Sequence, residues 1–157
     1  MSFSVFKNKR VFLTGHTGFK GSWLTIWLNR LGAQVHGYSL PPPTEPSNYM
    51  LAKVSGCLAD ETIGDIRDRN LLRRALTGFK PDIVFHLAAQ PLVRESYSAP
   101  YETFDVNVMG TASLLEAVRE LKQPCAVVCI TTDKCYENRE QVWGYRECDP
   151  MGGHDPY

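Results

Sequence analysis

Two groups of residues in this 157-residue chain have the types and spacing to do chemistry. The first is Gly15-His16-Thr17-Gly18-Phe19-Lys20-Gly21, with three glycines at GxxGxxG spacing. It stands between a short apolar run, Val11-Phe12-Leu13, and a stretch with helical period, Trp23, Leu24, Trp27, Leu28 and Leu31. A strand, a tight turn and a helix in that order can seat a diphosphate. Gly15 permits a reversal at φ values closed to other residues, Gly18 removes a side chain where the anion must approach the backbone, and Gly21 lets the helix pack closely on the strand. The first amides of the helix lack intrahelical acceptors and face the anion. The second group is Thr132-Asp133-Lys134, which follows the apolar run Ala126-Val127-Val128-Cys129-Ile130. A hydroxyl, a carboxyl and an amine at the carboxyl end of a strand stand where proton-transfer chemistry is expected.

The elements that must position these groups alternate along the chain. Gly32 is placed to end the first helix, and Gln34–Ser39 reads as a second strand. Its tip, Tyr38-Ser39-Leu40, has neither an acid to bind a ribose nor an Arg to bind a 2′-phosphate. Pro41 to Ser47 must be an exposed loop, Asn48 to Val54 reads as a short helix, and Leu58 to Ile63 as a weaker third strand. Asp68 is placed to cap a helix carrying Leu71, Leu72, Ala75 and Leu76. Ile83 to Gln90 reads as a fourth strand, apolar on both faces as in a covered parallel sheet. Its small Ala88 and Ala89 suit either a flat ligand or close packing. Pro100 to Lys122 has the period of one long helix, interrupted by Asn107, which is either a satisfied core amide or a bridge to a neighbouring loop. Five strands alternating with helices predict a Rossmann-type α/β fold, a doubly wound parallel sheet in order 3-2-1-4-5.

Composition narrows the function classes. Seventeen Lys and Arg balance seventeen Asp and Glu, which argues against a dedicated nucleic-acid binder. No apolar run approaches the roughly 18 residues of a membrane span, and the Met1 to Arg10 segment lacks the apolar stretch of a secretion signal. The expectation is a soluble, cytoplasmic protein. Five cysteines form no CxxC pair, and Cys135, Cys148 and His154 fit no common zinc template, so reduced thiols and no metal are expected. The polar tail from Glu137 to Tyr157 ends without a closing element, which leads us to expect a larger molecule.

Taken together, these blocks resemble the extended short-chain dehydrogenase/reductase family, and within it the CDP-glucose 4,6-dehydratases. The resemblance rests on Thr14 to Gly21, Gly64 to Asp68, His86 to Gln90, Asn107 to Thr111, Thr131 to Tyr136, and Asp155-Pro156-Tyr157. It implies that residues 1–157 are an NAD-binding domain, incomplete before the later strands and the sugar-nucleotide lobe. Gly15, His16, Thr17, Gly18, Phe19, Lys20 and Gly21 would surround the diphosphate. Asp65 and Ile66 would hold the adenine, and Leu87, Ala88, Ala89 and Gln90 would line the nicotinamide ribose. Asn107 would tie its helix to the active-site strand. Tyr157 matches the tyrosine of the family's YxxxK motif, whose lysine would fall beyond the chain.

For the complete enzyme the resemblance implies a hydro-lyase that converts CDP-glucose to its 4-keto-6-deoxy form, for deoxysugar and O-antigen (lipopolysaccharide) biosynthesis, acting as a homodimer. Tyr157 and Thr132 would serve the C4 hydroxyl. Asp133 would be the acid for water loss, with its pKa raised in a poorly hydrated pocket. Relatives acting on dTDP-glucose carry an acidic pair at these positions. Lys134 here would be either a neutral C5 base or a cation that holds Asp133 and the cofactor. His16 and Lys20 stand where small or aliphatic residues are usual, either as solvated side chains or as extra positive charge beside the diphosphate, so loose NAD binding is expected. A sugar-nucleotide 4-epimerase and a non-catalytic NAD-binding or dimerising fragment are the competing readings.

Overall fold

The computed structural model describes residues 3–157; Met1 and Ser2, part of the N-terminal segment read above, lie outside the described residues. Five strands form one parallel sheet: β1 (Arg10–Thr14), β2 (Gln34–Ser39), β3 (Asp60–Ile63), β4 (Ile83–His86) and β5 (Ala126–Cys129). Their order is β3-β2-β1-β4-β5, as the alternation of elements predicts. β1 pairs with β2 on one side and β4 on the other, so Thr14 stands level with both Tyr38 and His86.

Alternation along β1 builds two cores. Val11 and Leu13 face one layer with Val35, Leu28 and Ala33, under helix α1 (Phe19–Arg30). Phe12 faces the other with Tyr38, Val84, Leu72, Leu76, Leu114 and Ala117. That second layer is covered by α3 (Arg69–Phe79), which follows the short α2 (Asn48–Leu51), and by α6 (Gly110–Arg119). Asp68 caps α3 by accepting the Leu71 amide at 2.9 Å, as its place in the sequence predicts. Gly32 ends α1 at φ +82°.

The structure adds detail at three places. The Trp23 and Trp27 face of α1 points outward, at 54% and 51% exposure, and the helix instead buries Gly21, Ser22, Thr25 and Leu28. The reason is proximity: a Cβ at Gly21 would collide with the Gly15 carbonyl oxygen, and only small residues let the helix come so close to the turn. β4 stops at His86 rather than running to Gln90. β1 ends at Thr14 and turns at Gly15, φ +77°, so after the Leu87 amide, which still donates to Thr14 O at 3.2 Å, the chain has no strand neighbour on that side. The long helix expected from Pro100 is continuous but not uniform: after the separate α4 (Val93–Ser98), α5 (Pro100–Phe104) passes through a π-helical turn over Asp105–Met109 into α6, which ends at Arg119 rather than Lys122. The extra residue of a π turn re-aims side chains locally, and Asn107 lies inside it.

Among the described residues no helix is long and apolar enough to cross a membrane. All five cysteines are free thiols.

Candidate functional site

The glycine turn links β1 to α1. Gly15 takes φ +77°, where a Cβ would meet the Ala88 nitrogen at 2.8 Å, so the turn presses directly on the backbone after β4. Gly18 is the N-cap of α1 and has no side chain to cap the first amides. A Cβ there would meet only the Gly15 carbonyl oxygen, at 3.3 Å, leaving the other side of the position open. An uncapped helix start behind an open glycine suits a diphosphate, whose oxygens would take the amides that the protein leaves unbonded. Phe19 and Lys20 point outward, with Phe19 71% exposed.

His16 is not a solvated loop residue. It is fully buried, with its ring against Gly37, where a Cβ would meet the imidazole at 2.5 Å. Its Nε2 donates to Glu61 Oε1 at 2.6 Å, and Tyr49 donates to the same oxygen at 2.6 Å. Burial works to raise the Glu61 pKa, but the bonds from Tyr49 and His16 outweigh it and hold the carboxyl below its ordinary range. Burial and the contact with Glu61 push the Tyr49 phenol up to about 12. Any positive charge on His16 is therefore paired with Glu61. Thr17 is buried too, and its hydroxyl is 2.8 Å from Ser39 Oγ and donates to Leu40 O at 2.9 Å. The second-strand tip thus has no carboxylate of its own. The one that reaches the turn comes from β3, a residue that sequence reasoning missed because nothing in the spacing of Glu61 connects it to His16.

Asp65 and Ile66 follow β3. Arg67 grips both Asp65 carboxylate oxygens, Nη2 to Oδ2 at 2.6 Å and Nε to Oδ1 at 3.0 Å, and these bonds hold its pKa below the usual value. Tyr38 donates to Asp65 O at 2.7 Å, and Ile66 is packed into the core beneath Gly110. The backbone here is therefore rigidly supported on both sides. Leu87, Ala88, Ala89 and Gln90 form a shelf beyond β4. The Leu87 and Ala88 amides donate to Thr14 Oγ1, each at 3.1 Å. Asn107 holds the end of this shelf in both directions, accepting the Gln90 N–H at 2.8 Å and donating to Gln90 O at 3.1 Å. Of the two readings of that amide, the structure chooses the bridge.

The catalytic candidates lie beyond β5. Thr132 caps a 3₁₀ turn, Asp133–Cys135, by accepting the Lys134 N–H at 3.2 Å, and its hydroxyl reaches Asp133 Oδ1 at 3.3 Å. Asp133 and Lys134 are exposed in these 157 residues, so the poorly hydrated pocket expected around Asp133 is not built by them. The tail folds back on this segment: Tyr136 bridges Met151 antiparallel, and Glu137 and Gly152 bond Pro150 O and Cys135 O. Tyr157, half-buried, follows that return, and its amide donates to Asp155 Oδ1 at 3.1 Å. Among the described residues no hydrogen bond joins Tyr157 to the triplet.

A sequence model of GDP-mannose 4,6 dehydratase matches residues 12–157. The chain is 59% identical over 151 residues to a CDP-glucose 4,6-dehydratase from Salmonella typhimurium, covering 96% of this chain and 42% of that protein. Among solved structures, a UDP-glucose 4-epimerase from Brucella ovis in complex with NAD superposes with a TM-score of 0.80 at 27% identity, covering 95% of this chain and 43% of that one. A UDP-glucose-4-epimerase from Stenotrophomonas maltophila superposes at 0.83 with 24% identity over 96% of this chain and 44% of that one, a likeness of fold. The chain thus spans less than half the length of the relatives it matches.

Proposed function

The chain belongs to the GDP-mannose 4,6-dehydratase family, and from that premise we propose that it is the NAD-binding part of a cytoplasmic CDP-glucose 4,6-dehydratase that works as a homodimer. The observation that carries this reading is the 59% identity to the Salmonella enzyme over 96% of the chain. The uncapped start of α1 behind an open Gly18 fits the dinucleotide.

NAD, when bound, would supply reversible two-electron oxidation of the sugar. In this reading the turn from Gly15 to Gly21 holds the diphosphate through main-chain amides. The segment at Asp65 and Ile66 receives the adenine, and the shelf from Leu87 to Gln90, steadied by Asn107, receives the nicotinamide ribose. His16 and Thr17 act from beneath, by fixing the turn to β2 and β3. Phe19 and Lys20 flank the helix start from solvent.

The chain's own residues then move protons. Tyr157 takes the proton of the C4 hydroxyl, which Thr132 orients. The resulting 4-ketone acidifies the C5 proton, and a base removes it while Asp133 protonates the departing C6 hydroxyl as water. Lys134 is either that C5 base or the cation that keeps Asp133 in place. The sum is loss of one water with no net oxidation of the sugar, because the hydride removed from C4 to the nicotinamide would be returned to C6 as C5 regains its proton. The test is to incubate the complete polypeptide with CDP-glucose. An alkali-induced absorbance from a 4-keto-6-deoxy sugar supports the dehydratase; CDP-galactose as product would replace it with the epimerase, the activity named for the structural neighbours.

A further inference from the structure

Beneath the crevice between β1 and β4 runs a chain of hydrogen bonds in which every proton can be placed. Thr14 Oγ1 accepts the Ala88 amide and the Leu87 amide, the latter shared with Thr14 O at 3.2 Å, and lies 2.7 Å from His86 Nδ1. With both lone pairs engaged, the Thr14 hydroxyl proton must go to Nδ1. A neutral imidazole that accepts at Nδ1 carries its own proton on Nε2. That nitrogen is 2.9 Å from Thr111 Oγ1, and Thr111 in turn donates to Asn107 O at 2.7 Å. Asn107 closes the circuit through its two bonds to Gln90. Burial lowers the His86 pKa to about 4, so the neutral form holds at neutral pH.

The chain is directional. It starts on backbone amides of the shelf, passes through one imidazole, and ends on the π turn whose side chain grips the other end of the same shelf. The shelf is also what Gly15 touches: Ala88 N is the atom nearest a Cβ built there, and its amide is held by Thr14. An apolar side chain of similar volume would fill the space of His86 but would leave the Thr14 hydroxyl without its acceptor and Thr111 without its donor.

We propose that His86 is a positioning residue which, as its Nε2–H tautomer, sets the Leu87–Gln90 shelf against the glycine turn and thereby the affinity for the dinucleotide. It touches neither cofactor nor sugar. The proposal rests on the reading that a nicotinamide dinucleotide lies in this crevice.

The experiment uses the complete polypeptide. Histidine-selective ¹⁵N labelling is expected to show His86 as the Nε2–H tautomer, unchanged between about pH 6 and pH 8. His86→Asn keeps an acceptor near the Nδ1 position and His86→Gln a donor near the Nε2 position. Each is expected to weaken NAD binding about tenfold by calorimetry, the loss of one well-made buried hydrogen bond, and to speed amide exchange at Leu87 or Ala88. Thr111→Val should do the same and Thr111→Ser should recover wild-type affinity. The double variant His86→Asn with Thr111→Val should lose no more than either single one, since both break one chain. An Nδ1–H tautomer, NAD affinity within about twofold of wild type in folded variants, or simple addition of the two losses would overturn the proposal. A wild type that binds no NAD, while the tautomer and slow exchange are as expected, overturns the dinucleotide reading and the affinity role built on it, and leaves the hydrogen-bond chain standing.

Discussion

Protonating His86 must break the accounting at Thr14, and pH therefore acts on this residue through stability. The folded-state pKa, about 4, lies below the ordinary histidine value of 6.5. The unfolded chain then binds the proton more readily, so the contribution is fully present above pH 6.5 and is lost as pH falls from 6.5 towards 4. A shift of that size corresponds to about 3 kcal/mol as an order of magnitude. Urea unfolding at neutral and acid pH should show this loss in the wild type, and His86→Gln should remove that part of the pH dependence while lowering stability at neutral pH. His16 makes a second prediction at the same scale. His16→Gly empties a fully buried site over Gly37 and deprives Glu61 of one of two donors, so it should cost about 2 kcal/mol or more in the same assay and let the Glu61 pKa rise. Carboxylate NMR titration would read that rise, and a Glu61 pKa unmoved in the folded variant would show that Tyr49 alone holds it down. Neither histidine's role could be read from the sequence, though for different reasons. His86 had a usable signal, a polar residue inside an apolar strand ahead of two alanines, while its partners Thr14 and Thr111 lie 72 and 25 residues away. His16 had none, because its burial depends on Gly37 and Glu61, which meet it only after β2 and β3 are laid beside β1.

Elements were legible where a local rule decides them, and illegible where close approach between elements decides them. The parallel sheet, its order, the Asp68 cap and the end of α1 at Gly32 follow from periodicity, turn residues and handedness. The rotation of α1 does not. Leu24 and Leu28 of its apolar residues do face the core, but Trp23 and Trp27 do not, because contact with the Gly15 turn brings the small residues Gly21, Ser22 and Thr25 inward. Substitution separates the two orientations. Trp23→Gln should change stability by less than about 1 kcal/mol, as an exposed position does, whereas Gly21→Ala should cost several kcal/mol or abolish folding, because backbone must move to admit the methyl. Chemical denaturation of the pair decides it, and a large loss in Trp23→Gln would reverse the assignment. The π turn over Asp105–Met109 was equally hidden, since hydrophobic period cannot distinguish an α from a π turn over five residues. Deleting Val108, which is half-exposed, should restore α-helical register, swing Asn107 off Gln90 and raise the NAD dissociation constant at least as much as Asn107→Ala. Equal affinity in the deletion variant would show that the turn has no part in holding the shelf.

At the scale of the whole molecule, the two halves of the proposed chemistry stand at different stages of completion. The proposed dinucleotide side has its frame within these residues, in Gly15, the Asp65 segment and the Leu87–Gln90 shelf, each held by hydrogen bonds. The sugar side does not: Asp133 and Lys134 face solvent, and Val128 and Ile130 of the β5 region are 42% and 47% exposed. Asp133 can donate a proton to a departing hydroxyl only in its protonated form, which a cover that excludes water favours. Proposed catalysis would therefore gain from a cover from outside β1 to β5, whether the substrate itself or protein beyond this fold. The role of Asp133 has a kinetic signature in the complete polypeptide with CDP-glucose. Asp133→Asn keeps the hydrogen bond to Thr132 within reach but removes the acid, so water loss should slow by about a hundredfold or more, within the range that positioned acids contribute. Oxidation at C4, the step proposed for Tyr157 and Thr132, should proceed, so 4-keto-glucose should accumulate ahead of the 4-keto-6-deoxy product in rapid-quench mass spectrometry. Elimination at the wild-type rate would remove Asp133 from the chemistry, and equal slowing of both steps would make it a residue that shapes the site and transfers no proton.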